Sequence, residues 1–272
     1  MTIASGNAAG FLPLPVIAPA AFAGIASRFE AQDAAAYLPA GADPTVVAGY
    51  RAQKAALARS MRSTGSAWYN LFLRGGYFEG AIIFLHPLSR GTITIDPASP
   101  YFAQPAVDYR ALSNPADLEV LYEFPRFTRR FFTQTRLARY GPVEQPPYAN
   151  LTTNAQLETA LRANLNPSSF HPVGTAAMLP RELGGVVDEK LLVYGVKGLS
   201  VVDASVIPDL PGAYTQQPVY AIAEKVSRRP RARAVRPVLR FPRFLPPCPC
   251  SSTPRPPFLP STGAEADRDV TE

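Results

Sequence analysis

The chain has 272 residues, enough for one large domain or two smaller ones with a real core. With 47% hydrophobic residues most of it is expected to fold, while 30 prolines imply many turns and extended pieces. Of the formal charge of +6, +4 belongs to residues 229–272, so the basic character mostly describes the tail and is weak evidence for nucleic acid, which is not expected as a partner.

In chain order, residues 1–30 read as an irregular, proline-punctuated segment. Gly10 to Ala26 is apolar but carries Pro13, Pro15 and Pro19, which would break a spanning helix, so no membrane segment is expected. No Lys or Arg precedes Arg28, so the basic start of a signal peptide is missing and the beginning looks like the interior of a longer protein. Pro44 to Arg62 carries a helical pattern with Val47, Tyr50, Leu57 and Met61 on one apolar face. Lys54 interrupts that face, which predicts a half-exposed helix.

Ser66 to Leu73 and Ala81 to Leu85 read as buried strands. His86-Pro-Leu-Ser-Arg-Gly91 then forms a turn feeding the alternating strand Thr92 to Asp96, where His86 and Arg90 are expected to shape the turn rather than do chemistry. Ser113-Asn-Pro-Ala-Asp117 is a helix-start signal, and Pro125 should end or kink the helix it opens. Thr153-Asn-Ala-Gln156 is a capping box for a helix through Ala163. Strands and helices alternate without a βαβ rhythm, which predicts an α+β fold with a largely antiparallel sheet and flanking helices.

From Ser169 onward the motifs are denser. Ser169-Phe170-His171-Pro172-Val173-Gly174-Thr175 contains one of only two histidines in the chain. Leu191 to Tyr194 and Leu199 to Val202 are short apolar runs separated by Gly195-Val-Lys-Gly198, a hairpin pattern. The second run ends in Asp203, Ala204 and Ser205, a carboxylate at a strand end followed by small residues that let a ligand approach the backbone. Pro218 suits the first position of a helix, with Val219, Ile222, Ala223 and Val226 on one apolar face. Taken alone, this reads as an apolar helix in ordinary packing, with Asp203 as a turn cap.

After Arg228 prolines, arginines and phenylalanines alternate without period, a composition expected to stay disordered. Arg243-Phe-Leu-Pro-Pro-Cys-Pro249 fits a polyproline ligand for an SH3-type partner. Cys248 and Cys250, one residue apart, support neither zinc nor a redox pair, and a disulfide scaffold is excluded. The chain is thus divided into residues 1–170, 171–228 and the tail 229–272.

His-Pro-Val-Gly-Thr, Val186-Val-Asp188, Val-Val-Asp-Ala-Ser-Val-Ile-Pro and Ala223-Glu-Lys225, in that order, resemble the C-terminal, substrate-binding part of the glucose-methanol-choline (GMC) oxidoreductases. The turn at His86 to Gly91 resembles another motif of the same family. The resemblance implies FAD-dependent oxidation of an alcohol, with His171 taking the hydroxyl proton while hydride leaves for the flavin. It implies Asp203 and Ala204 at the ribityl chain, and Gln216 and Pro218 beside the ring at a helix start suited to developing negative charge.

The sequence departs from the family at Tyr214, where a second histidine or an asparagine is usual. A phenol can donate to a substrate oxygen but is a poor base near neutrality. Tyr214 thus either positions the alcohol or marks a weakened site. No Gly-x-Gly-x-x-Gly lies between a strand and a helix, so the pyrophosphate-binding half is expected to be missing and independent FAD binding weak. A hydrolase is disfavoured because no Gly-x-Ser-x-Gly occurs. The non-enzymatic alternative is an inactive, flavin-free fragment or binding module with a proline-rich tail.

Overall fold

The structure, a computed structural model, describes residues 6–74, 80–101 and 103–228. The proline-rich tail, with its SH3-ligand pattern and both cysteines, lies outside the described residues. Strand β1 (Gly6–Pro13) is followed by helices α1 (Leu14–Ile17) and α2 (Phe22–Ala31). Next come α3 (Pro44–Met61), β2 (Ala67–Arg74), β3 (Gly80–Phe84), β4 (Thr92–Thr94) and β5 (Ala106–Asp108). Helices α4 (Pro115–Thr133), α5 (Asn154–Asn164) and α6 (Gln216–Ser227) complete the set. Among the described residues the named strands pair antiparallel: a three-stranded sheet in the order β1-β2-β3, and a β4-β5 ribbon. The mixed, antiparallel architecture expected from the sequence is present.

The beginning of the chain is more ordered than its prolines suggest. Pro13 ends β1 and caps α1, and Pro15 sits in the first turn of α1. Both are positions where a missing N–H costs nothing. With no helix interior broken, Leu14, Ile17, Ile25, Ala26 and Phe29 enter the main core beside Trp68, Tyr69, Leu121 and Phe124.

Three helix starts follow their caps. Asp43 accepts from the Thr45 amide at 2.8 Å, Asn114 accepts from the Ala116 amide at 2.9 Å, and Thr153 with Gln156 closes a reciprocal capping box. Two other elements depart from expectation. Helix α4 does not end at Pro125 but continues to Thr133, because its buried face, from Leu118 to Phe124, holds the helix to the core against the lost hydrogen bond. Lys54 is 4% exposed and does not break the buried face of α3: its ammonium donates to the Gln32 carbonyl and lies 5.1 Å from the centre of the Phe29 ring. Strand β3 is less covered than expected, with Ile82 40% exposed.

Past residue 170 the regular structure thins. The hairpin forms as isolated bridges, with the Val193 amide donating to Leu199 at 3.0 Å and the Val201 amide to Leu191 at 3.1 Å. Val187, Leu191 and Val206 make a small separate core, against which Val193, Val202, Ile222 and Val226 pack.

Candidate active site

The backbone first brings the His171 segment to the Asp203 turn. The Ala176 amide donates to the Ser205 carbonyl at 3.0 Å and the Met178 amide to the Val206 carbonyl at 2.8 Å, so the two stretches lie side by side. Between His171 and that pairing, Gly174 turns the chain at φ +86°, a left-handed conformation that a Cβ strains. Asp203 caps the short 3-10 turn Ala204–Val206, its Oδ1 accepting from the Ser205 amide at 2.8 Å, and it remains exposed.

Tyr214 closes the other side. It holds φ +65°, a strained value for a residue with a large side chain. That backbone aims its ring between two others: His171, 5.4 Å away centre to centre and tilted by 45°, and Phe11 of β1, met edge-on at 5.7 Å. Its hydroxyl donates to Oδ1 of Asn70 at 2.5 Å, and burial pushes its pKa above the ordinary phenol value. Sequence reasoning offers this phenol as a donor to substrate; the structure spends its proton on Asn70 instead. Asn70 is fully buried in β2 and is absent from the sequence-based site, since nothing in Ser66 to Leu73 distinguishes it from a strand residue.

The loop leading to Tyr214 is braced by residues from the body of the protein. Gln53 Nε2 donates to the Pro208 carbonyl at 3.0 Å, and Arg90 pairs with Asp209 at 3.3 Å while its guanidinium lies 5.0 Å from the Tyr50 ring centre. Asp117 fixes the turn that presents Arg90, accepting from the Leu88 and Ser89 amides at 2.6 and 3.0 Å. Burial raises the Asp117 pKa, and these bonds oppose the rise. His86 packs 5.0 Å from Trp68, ring to ring, and a Cβ on Gly212 would stand 3.3 Å from its Nε2. Burial lowers its pKa, with the Leu210 and Ala67 carbonyls working against that shift. His86 and Arg90 thus both make packing or pairing contacts at this turn.

Helix α6 starts at Gln216, two residues earlier than expected, so Pro218 is its third residue rather than its first. The substitution of position is harmless because first-turn N–H groups lack intrahelical partners anyway. Thr215 makes no side-chain cap, leaving those first-turn amides without a capping side chain, and Gln216 is exposed. An uncapped positive helix end suits the negative charge a flavin ring would gain on reduction, and the exposed Asp203 carboxylate and Gln216 amide could hydrogen-bond ribityl hydroxyls. Behind them an apolar cavity of ≈ 260 Å³ is lined by Met178, Leu191, Val206, Ile207, Pro218 and Ile222 among others. Among the described residues no cluster of His, Cys, Asp and Glu could hold a metal ion.

Comparison with known proteins decides the ancestry of this arrangement. The GMC oxidoreductase family profile matches residues 87–223, from the turn after His86 to the Ala-Glu-Lys helix. The chain belongs to the GMC oxidoreductases. The dehydrogenase xptC of Emericella nidulans is 33% identical over 212 residues, covering 76% of this chain and 33% of its own length. A pyranose dehydrogenase of Agaricus campestris is 35% identical over 154 residues, 56% of this chain and 26% of that protein.

Among solved GMC-like structures, an FAD-dependent oxidoreductase from Chaetomium thermophilum superposes with a TM-score of 0.77 at 34% identity, over 80% of this chain and 37% of its own. A fungal aryl-alcohol oxidase gives a TM-score of 0.76 at 34% identity, over 82% and 38%. The chain thus spans less than two fifths of the length of each relative.

Proposed function

We propose that this chain is the substrate-side, C-terminal part of an FAD-dependent alcohol oxidoreductase in which His171 accepts the proton of the reacting hydroxyl. The observation that carries this reading is the approach of the His171 and Tyr214 rings to 5.4 Å, beside the Asp203 turn and ahead of the uncapped end of α6. Among titratable side chains an imidazole is suited to take that proton near neutrality. Tyr214, whose pKa is raised, stays protonated there and orients rather than deprotonates. Asp203, Ala204, Gln216 and Pro218 would hold the cofactor, which when bound supplies the acceptor for the departing hydride. His171 and Tyr214 line the mouth through which alcohol enters.

The sequence contains no Gly-x-Gly-x-x-Gly to cradle a pyrophosphate, so these residues alone hold FAD weakly. The test is to add excess FAD and an aromatic or aliphatic primary alcohol without oxygen and follow the flavin absorbance band. Bleaching with the wild type or with Tyr214→His supports the reading. No bleaching with either favours an inactive fragment or binding module. Purification of the chain with one equivalent of FAD would overturn the weak-binding part alone.

A further inference from the structure

Asn70 has both ends of its amide engaged. Its Nδ2 donates to the Gly10 carbonyl of the adjacent strand at 3.1 Å. A carbonyl oxygen only accepts, so the amide nitrogen must face Gly10 and Oδ1 must face Tyr214. Oδ1 also only accepts, so the single phenolic proton, 2.5 Å away across the contact, is committed to Asn70. Asn70 is fully buried, so both contacts are made inside the protein. The Tyr214 oxygen is left with lone pairs, on a ring that faces His171.

We propose that Asn70 is a positioning residue that makes Tyr214 a hydrogen-bond acceptor, so that the mouth beside His171 selects polyhydroxy alcohols over simple ones. The proposal rests on the reading of His171 as proton acceptor. In that site the reacting hydroxyl has one proton and gives it to the imidazole, so a ligand that also satisfies Tyr214 must bring a second O–H. A polyol has one; a monohydric alcohol does not. A residue with a spare donor at position 214 would require no second O–H and would remove that selection.

The test uses the whole chain with carbon-13 at the tyrosine ring carbon bearing oxygen, the Tyr214 signal being assigned by its loss in Tyr214→Phe. The wild type is expected to show a slowly exchanging hydroxyl proton on Tyr214. Asn70→Leu is expected to lose that proton and shift the signal, and Asn70→Asp, which keeps an acceptor oxygen, to retain it. A rapidly exchanging Tyr214 hydroxyl in the wild type overturns the proposal whether or not Asn70→Leu folds. Glycerol is expected to shift the Tyr214 signal more than propanol at equal concentration, and equal shifts overturn the ligand selection. No flavin or turnover is involved, so these outcomes are separate from those that test alcohol oxidation.

Discussion

Three left-handed residues shape the candidate site: Phe170 beside His171 at φ +61°, Gly174 at +86° and Tyr214 at +65°. At Gly174 a Cβ would find room, since the nearest atoms are the Ile207 and Pro208 carbonyl oxygens at 3.5 and 3.6 Å. Backbone strain is then the whole cost. Gly174→Ala should lose about 1–2 kcal/mol of stability, read as a lower urea midpoint with unchanged slope. His86 gives a pH dependence. Its folded pKa is depressed by burial, so the unfolded chain binds a proton where the native chain does not. Stability is therefore full above the ordinary imidazole value and falls as pH drops through about 6.5. The urea midpoint should show that fall in the wild type and a smaller one in His86→Gln.

At this scale the ordered motifs point to His171, Asp203 and Tyr214, and the structure brings the His171 and Tyr214 rings together. The sequence hid Asn70 because the contact with Tyr214 spans 144 residues and strand patterning says only that a polar side chain is present. The direction of Tyr214's proton was illegible for the same reason: it depends on the partner.

At the level of elements, caps were the most readable signals, since a side chain and an amide two or three residues on suffice to define them. Removing one has a local price: Thr153→Ala should cost about 1 kcal/mol by urea denaturation, with loss at α5. Prolines were the least readable, because their effect depends on where a helix starts. At Pro13 and Pro15 they delimit elements, whereas at Pro125 the buried face overrides the break. Pro125→Ala restores a hydrogen bond and removes the ring's clash, together worth about 3 kcal/mol in a helix interior, and loses two methylenes of packing at about 0.8 kcal/mol each, so a gain of about 1 kcal/mol is expected. A loss of stability would show that the ring's packing outweighs the strain. Lys54 departs from expectation because a long side chain need not interrupt an apolar face. Its stem packs there, and its charge finds the Gln32 carbonyl and the Phe29 ring.

Across the whole molecule, the family match over residues 87–223 and the superpositions onto two FAD-linked or alcohol-oxidising enzymes account for the order of the motifs. The body of the protein contributes to the candidate site through Asn70, Phe11, Gln53 and Arg90, so the later motifs do not form the mouth by themselves. That dependence was beyond a motif reading, which treats residues 171–228 as a unit. It predicts that Arg90→Ala, which frees Asp209, loosens the loop that carries Tyr214 and broadens the Tyr214 signal in a tyrosine carbon-13 spectrum. An unchanged signal would show that the loop is held without the pair.

The most direct measurement compares the rate of anaerobic flavin bleaching by a primary alcohol, with excess FAD, in the wild type and in His171→Ala. A general base contributes about 10²–10⁴-fold, so a loss of that size is the expected result. Bleaching by His171→Ala at the wild-type rate would contradict the assignment of the proton to His171.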